Sequence, residues 1–220
     1  MNWGWIPRNL GLVAELTVEH SWLALLPLLL GLLISVPLAW LATRTPLARS
    51  VLVTATGLLY TVPSLALIVM LPLLLGLQIL DPLNLVVALT IYTVALLVRS
   101  IADALDAVPS VVVAAATAMG YTPLRRFVAV EMPLAIPVTV AGLRVAAVSN
   151  MSLVTVGAIV GLGGLGLLFT DGFQRDIPAE IITGIVVVLV LALIVDALLL
   201  VVGRLITPWA RTGQAAGRQR

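Results

Sequence analysis

The chain has 220 residues, of which 61% are hydrophobic and 10% charged, and its mean hydropathy is +1.19. Soluble domains are about half apolar and about a quarter charged. A soluble enzyme, a disordered chain and a secreted disulfide scaffold are therefore excluded, and the composition is that of an integral membrane protein. All 12 basic residues are Arg, Cys is absent, and His20 is the only histidine. Without Lys there is no phosphate loop ending in GK[ST] and no Schiff-base chemistry. A His/Cys metal site is excluded by count, and no metal ligands are expected. A net charge of +2 is too small to point to nucleic acid.

Crossing about 30 Å of hydrocarbon takes roughly 20 apolar residues as a helix. Five stretches qualify: Ser21 to Ala42, Val51 to Leu80, Leu83 to Val98, Ile136 to Val160 and Ile181 to Ile206. Trp22 and Trp40 stand near the ends of the first, as interfacial anchors do. The second contains Pro63 and Pro72 and is too long for one straight span, so a kink, a tilt or a break at proline is expected. Before the first span, Asn9 to His20 can form a short interfacial helix carrying Leu10, Val13 and Leu16. Residues 1–20 thus form an external segment, 21–206 the transmembrane domain, and 207–220 a solvated, disordered tail. The start does not read as a signal peptide. Only Arg8 precedes Glu15 and Glu19, and Arg44 and Arg49 follow the apolar run as a stop-transfer pattern.

Basic residues collect on the cytoplasmic side of membrane proteins. Arg44, Arg49, Arg99, Arg125, Arg126, Arg204, Arg211, Arg218 and Arg220 fall on one side, and only Arg8 and Arg175 on the other, with Glu15, Glu19, Asp81, Asp171, Asp176 and Glu180. The bias places the N-terminus outside and the C-terminus in the cytoplasm, which fits an odd number of spans.

The one sizeable cytoplasmic connection runs from Arg99 to Pro137. Arg99 and Asp103 stand at i,i+4 and can pair. Pro109 can open a helix, the following alanines favour it, and Gly120 can end it. Thr122 and Pro123 can begin a second helix, which Pro133 is expected to interrupt. On the residues alone, this is either a plain amphipathic connector or a short Ala-rich helix offering a smooth face to a partner's groove.

This loop resembles a motif of bacterial ABC importer permeases, which reads EAA, three residues, Gly, nine residues, Ile, one residue, Leu-Pro. Here Ala114, Ala115 and Ala116 precede Gly120 at that spacing, and Val130, Glu131, Met132 and Pro133 complete it. Ala114 stands where the family has Glu, Val130 where it has Ile and Met132 where it has Leu. The segments YTVPSLALIVMLPLLLG, RSIADALDAVPSVVVAAATAMG, PLAIPVTVAGLRVA and VGAIVGLGGLG are similar to importers of osmoprotectants such as glycine betaine, choline, carnitine or proline betaine. Methionine-importer permeases are similar in the loop and the glycine-rich segment and remain the alternative.

The resemblance implies an all-α type I ABC importer permease with a cytoplasmic coupling helix. It implies a separate cytoplasmic ATPase dimer that binds ATP and Mg, a second permease subunit and an external substrate-binding protein. It implies no cofactor and no catalysis in this chain. Ala114, Ala115, Ala116, Gly120 and Pro133 would form the ATPase-coupling site, with Ala115, Ala116 and Gly120 in closest contact. The expected location is the bacterial cytoplasmic membrane.

Four further features stand out. GLGGLG, Gly161 to Gly166, matches the dinucleotide fingerprint by letter, but it follows a span rather than a strand. Gly161, Gly163, Gly164 and Gly166 are instead read as a flexible turn or a hinge at the outer mouth. Arg144 and Asp196 lie inside spans four and five at similar depth, and an ion pair is expected because an unpaired charge there is costly. Tyr60 and Tyr92 are the aromatic residues within spans able to meet a quaternary ammonium group, or they simply pack. Tyr60, Ser64, Asn150, Ser152 and Thr155 are candidate pore-lining residues. An ion-coupled secondary transporter is the rival class. It would want midplane ionisable groups and an internal repeat, and the chain has Asp196 and no visible repeat.

Overall fold

The computed structural model describes residues 3–209, and these contain helices and no strands. In chain order the helices are α1 (Trp5–Arg8), α2 (Leu10–Ala42), α3 (Pro46–Thr61), α4 (Ser64–Leu75), α5 (Pro82–Asp106), α6 (Ser110–Ala118), α7 (Pro123–Arg126), α8 (Met132–Gly157), α9 (Leu167–Gln174) and α10 (Pro178–Ile206). Four segments are long and apolar enough to cross a membrane, and α3 with α4 makes a fifth if the bent pair is one span. The tail read as disordered lies almost wholly outside the described residues.

The first span differs from expectation. The helix expected over Asn9 to His20 is not separate from it, because α2 runs unbroken for 33 residues from Leu10. At about 1.5 Å per residue that is about 50 Å, well beyond the hydrocarbon thickness. The cause is one buried stripe along the whole helix: Val13, Leu16, His20, Leu23, Pro27, Gly31, Ser35, Ala39 and Ala42 recur at steps of three and four. The outer part of the stripe joins Trp5, Leu165, Leu168 and Ala179 in a satellite core. Residues 10–20 are therefore continuous with the first span, since α2 carries them into the bundle.

The second span is broken, and α3 and α4 meet at a bend of 101°. Pro63 disfavours helical geometry in the residue before it, and Val62 is accordingly extended, with φ −65° and ψ 130°. The freed carbonyl of Val62 accepts a hydrogen bond from the Tyr92 hydroxyl of α5. An apolar environment tolerates such a break when a neighbouring helix satisfies the backbone.

Helix α5 is the centre of the bundle. Leu85, Leu89, Leu97, Val98 and Ile101 are fully enclosed there. Small residues bring the neighbouring helices close, as lipid-embedded packing requires. A Cβ on Gly31 of α2 would lie 2.3 Å from Thr93 Cγ2, and one on Gly142 of α8 would lie 2.5 Å from Ser100 Oγ. Helix α10 lies at the edge, against α8 and α9.

Pro133 does not interrupt the helix after α7. The chain continues through a π-helical turn, Phe127–Glu131, directly into α8. Pro133 would press its ring on the carbonyl four residues back and offers it no N–H. Widening the turn just upstream absorbs that conflict within a continuous helix.

Candidate functional site

The end of the bundle that carries the Ala-rich loop is built on arginines. Arg49 at the start of α3 reaches Asp103 at 2.6 Å and Asp106 at 2.5 Å. The expected Arg99–Asp103 pair is present at 3.9 Å, so Arg49 is the closer partner. Arg44 lies over the Trp40 ring, 4.0 Å from its centroid, and Trp40 packs on Phe127 of the π turn at 5.4 Å. The corners of α2–α3, α5–α6 and α7–α8 therefore meet at one end.

Helix α6 lies on that end. Its N-terminus follows Pro109, and its C-terminus closes on Gly120 with φ +84°. The Gly120 N–H donates to the Thr117 carbonyl at 3.0 Å and the Tyr121 N–H to the Ala116 carbonyl at 3.2 Å. These two bonds make a Schellman cap, which needs the left-handed residue that glycine supplies. Ala114, Ala115 and Gly120 are exposed, whereas Ala116 is buried. Ala116 packs inward against this chain and is not a surface contact, which corrects the expectation that it faces the ATPase. The exposed side of the loop also presents Val111, Met119 and Leu124.

Deeper in the bundle, Tyr60, Tyr92, Thr93, Leu96, Ala146, Ser149 and Asn150 line a narrow recess that leaves no room for even a water molecule, far short of an ordinary ligand pocket. Tyr60 and Tyr92 meet edge to face at 5.8 Å. Of the five residues proposed for the pore, the recess gathers Tyr60 and Asn150; Ser64, Ser152 and Thr155 are not part of its lining. Asn150 is fully enclosed, and its amide donates to the Thr93 hydroxyl at 3.1 Å and to the Ala24 carbonyl at 3.2 Å. Asn150 thus joins α2, α5 and α8 rather than facing an open passage. Thr93 and Ser149 escape the sequence because a lone short hydroxyl in an apolar run carries no local signal, and the partner of Thr93, Asn150, lies 57 residues away.

Arg144 and Asp196 form the expected pair. Arg144 Nε and Nη2 each donate to a different carboxylate oxygen of Asp196, both at 2.7 Å. This two-pronged geometry joins α8 to α10 and lines an open groove with Ala141, Val145 and Val148.

The opposite end of the bundle holds the glycine-rich segment, which is packed into the bundle rather than exposed as a loose turn. Residues Leu162 to Gly166 are buried. The Gly164 N–H donates to a Glu19 carboxylate oxygen at 3.0 Å and the Leu165 N–H to His20 Nδ1 at 3.2 Å. With Nδ1 accepting, Nε2 carries the proton and donates to the Met151 carbonyl at 3.1 Å. Gly163 and Gly164 have φ of +81° and +75°, and a Cβ on Gly163 would lie 2.4 Å from the Glu19 carboxylate. The glycines let the backbone wrap two side chains of α2. Only Gly161 is exposed.

Residues 31–211 match the family described as binding-protein-dependent transport system inner membrane component. The chain is 36% identical over 193 residues to the osmoprotectant import permease protein OsmW of Salmonella typhimurium, covering 87% of this chain and 90% of that protein. It is 31% identical over 215 residues to the choline transport system permease protein OpuBB of Bacillus subtilis, covering 98% and 94%. Among solved structures, the MetNI methionine ABC transporter in an inward-facing conformation superposes with a TM-score of 0.73 at 25% identity, over 90% of this chain and 96% of that chain. With a helical bundle of four to five spans, a capped surface helix at the motif and this match over most of its length, the chain belongs to the family of binding-protein-dependent transport system inner membrane components, the permeases of ABC importers.

Proposed function

We propose that this permease carries osmoprotectants of the glycine betaine, choline, carnitine and proline betaine class into the cell. The observation that carries the substrate class is its similarity to OsmW and OpuBB over nearly the whole chain. The MetNI superposition favours a second reading, a methionine or other amino-acid importer.

Two such subunits, identical or homologous, would enclose the path, because one bundle of this size leaves only a small recess. A cytoplasmic ATPase dimer would bind ATP and Mg and receive α6 through Ala114, Ala115 and the Gly120 turn. The arginine-rich end supports a cytoplasmic C-terminus and an external N-terminus, and it puts α6 on the ATPase side. A binding protein would deliver solute to the opposite end. Closure of the ATPases would rotate α6 and α8 as rigid bodies and alternate access between the two sides.

The polar groups around the recess do not offer the solute a tight site. The Tyr92 hydroxyl is engaged by Val62 and the Asn150 amide by Thr93 and Ala24. Affinity for the quaternary ammonium group would then reside in the binding protein, where an aromatic cage can form. Titrating the cognate binding protein with glycine betaine, choline and methionine tests the class. Binding of methionine alone would move the assignment to the second reading. For docking, Gly120→Trp should uncouple hydrolysis from uptake; intact coupled uptake would remove α6 from the interface.

A further inference from the structure

We infer that Arg126 is the positioning residue that locks the coupling helix α6 to α8, so that the two move as one lever. The inference rests on the reading of α6 as the helix that receives the ATPase. Helix α6 is otherwise loosely held. Ala116 is its one buried residue, and it leaves through Gly120, around which a Cβ would meet no atom within 4 Å. A helix hung on an open glycine turn could swing without moving α8.

Arg126 closes that gap. Its Nη1 donates to Thr117 Oγ1 on α6 at 2.8 Å, and its Nε donates to Glu131 Oε1 at the end of the π turn at 2.5 Å. The Thr117 hydroxyl gives its own proton to the Val113 carbonyl at 2.8 Å, so its lone pairs are free to accept from Arg126. A continuous hydrogen-bonded path thus runs from the α6 backbone through Thr117, Arg126 and Glu131 into α8. The Arg126 and Glu131 side chains are only 20% and 11% exposed, which limits competition from water at that pair, whereas the bond to Thr117 is exposed. A planar guanidinium can hold two partners in different directions at once, and an ammonium on a flexible stem does so poorly. Glu131 occupies the unspecified position between Val130 and Met132. The chain that lacks an acid at Ala114 therefore carries one at the far end of the same motif, turned inward.

The test uses the whole importer, with ATPase and binding protein, in proteoliposomes. The variants are Arg126→Gln, Arg126→Lys and Thr117→Val, which removes one hydroxyl and keeps the shape. ATPase co-purification, hydrolysis rate and solute imported per ATP are measured. Arg126→Gln should retain bound ATPase and hydrolysis while import per ATP falls by about tenfold, within the range of coupling effects. Thr117→Val should lower it in the same direction, and Arg126→Lys should recover only part. Spin labels at the exposed Val111 and Leu134 should show a broadened distance distribution in Arg126→Gln. Unchanged import per ATP in both Arg126→Gln and Thr117→Val overturns the proposal. Loss of ATPase co-purification in Arg126→Gln also overturns it, because Arg126 would then be a direct contact. If Arg126→Gln fails to fold, Thr117→Val decides. Failure of the underlying reading is distinct, since the unmodified importer would then show no ATPase-dependent uptake.

Discussion

Gly163→Ala tests whether the glycine-rich segment is a fixed strap, and Gly76→Ala is its control. Both positions have positive φ, +81° and +68°. An L-residue held there costs about 1–2 kcal/mol. Around Gly76 a Cβ would meet nothing within 4 Å, whereas at Gly163 it would overlap the Glu19 carboxylate at 2.4 Å. Glu19 is the end of a side chain and can withdraw, but it then releases the Gly164 N–H. A hydrogen bond to a charged group is worth about 1.5–3 kcal/mol. The expected losses are therefore about 2.5–5 kcal/mol for Gly163→Ala, summing both costs, and about 1–2 kcal/mol for Gly76→Ala. Reversible denaturant unfolding in detergent micelles reads both. In Gly163→Ala combined with Glu19→Ala the overlap is gone, so the double variant should be more stable than the sum of the singles. Equal losses at the two glycines, or strict additivity with Glu19→Ala, would refute the strap.

Further outcomes rest on the same contacts. Asp196→Asn or Arg144→Leu should reduce the yield of monodisperse protein, and the exchange Arg144→Asp with Asp196→Arg should recover part of it; an exchange no better than either single change counts against a structural pair. Asn150→Leu should destabilise the bundle by about 1 kcal/mol, since each interhelical bond in a membrane averages about 0.6 kcal/mol, and steric trapping or micelle unfolding would show it. Tyr92→Phe should lower stability slightly with no change in the KM for solute, because the hydroxyl is held by Val62; a large rise in KM would place that hydroxyl in the path instead.

Much of the fold is legible in the residues because membrane spans are written in composition. The apolar runs, the proline break at Val62–Pro63 and the end of α6 at Gly120 follow from local chemistry. The Arg144–Asp196 pair follows too, since helical rise alone puts the two residues at one depth. Other features depend on partners distant in the chain. Glu15 and Glu19 interrupt the apolar run and hide the fact that Val13, Leu16 and His20 continue the buried stripe of α2. GLGGLG carries the letters of a nucleotide loop, but its role is set by Glu19 and His20, 145 residues from the atoms they hold. Asn150 is polar in an apolar segment, which fits a passage and a buried crosslink equally, and only Thr93 and Ala24 decide between them. Ala116 has the same composition signal as Ala115, but the step of about 100° from one helical residue to the next turns it inward, and it is buried where Ala115 is exposed.

The central claim is that this chain forms a path driven by ATP hydrolysed elsewhere. It is tested most directly by solute uptake into proteoliposomes containing the permease and its binding protein, with and without the ATPase chain. Uptake is expected only when the ATPase and ATP are both present, with no hydrolysis by the permease alone. Uptake driven by an ion gradient with the ATPase omitted would contradict the account.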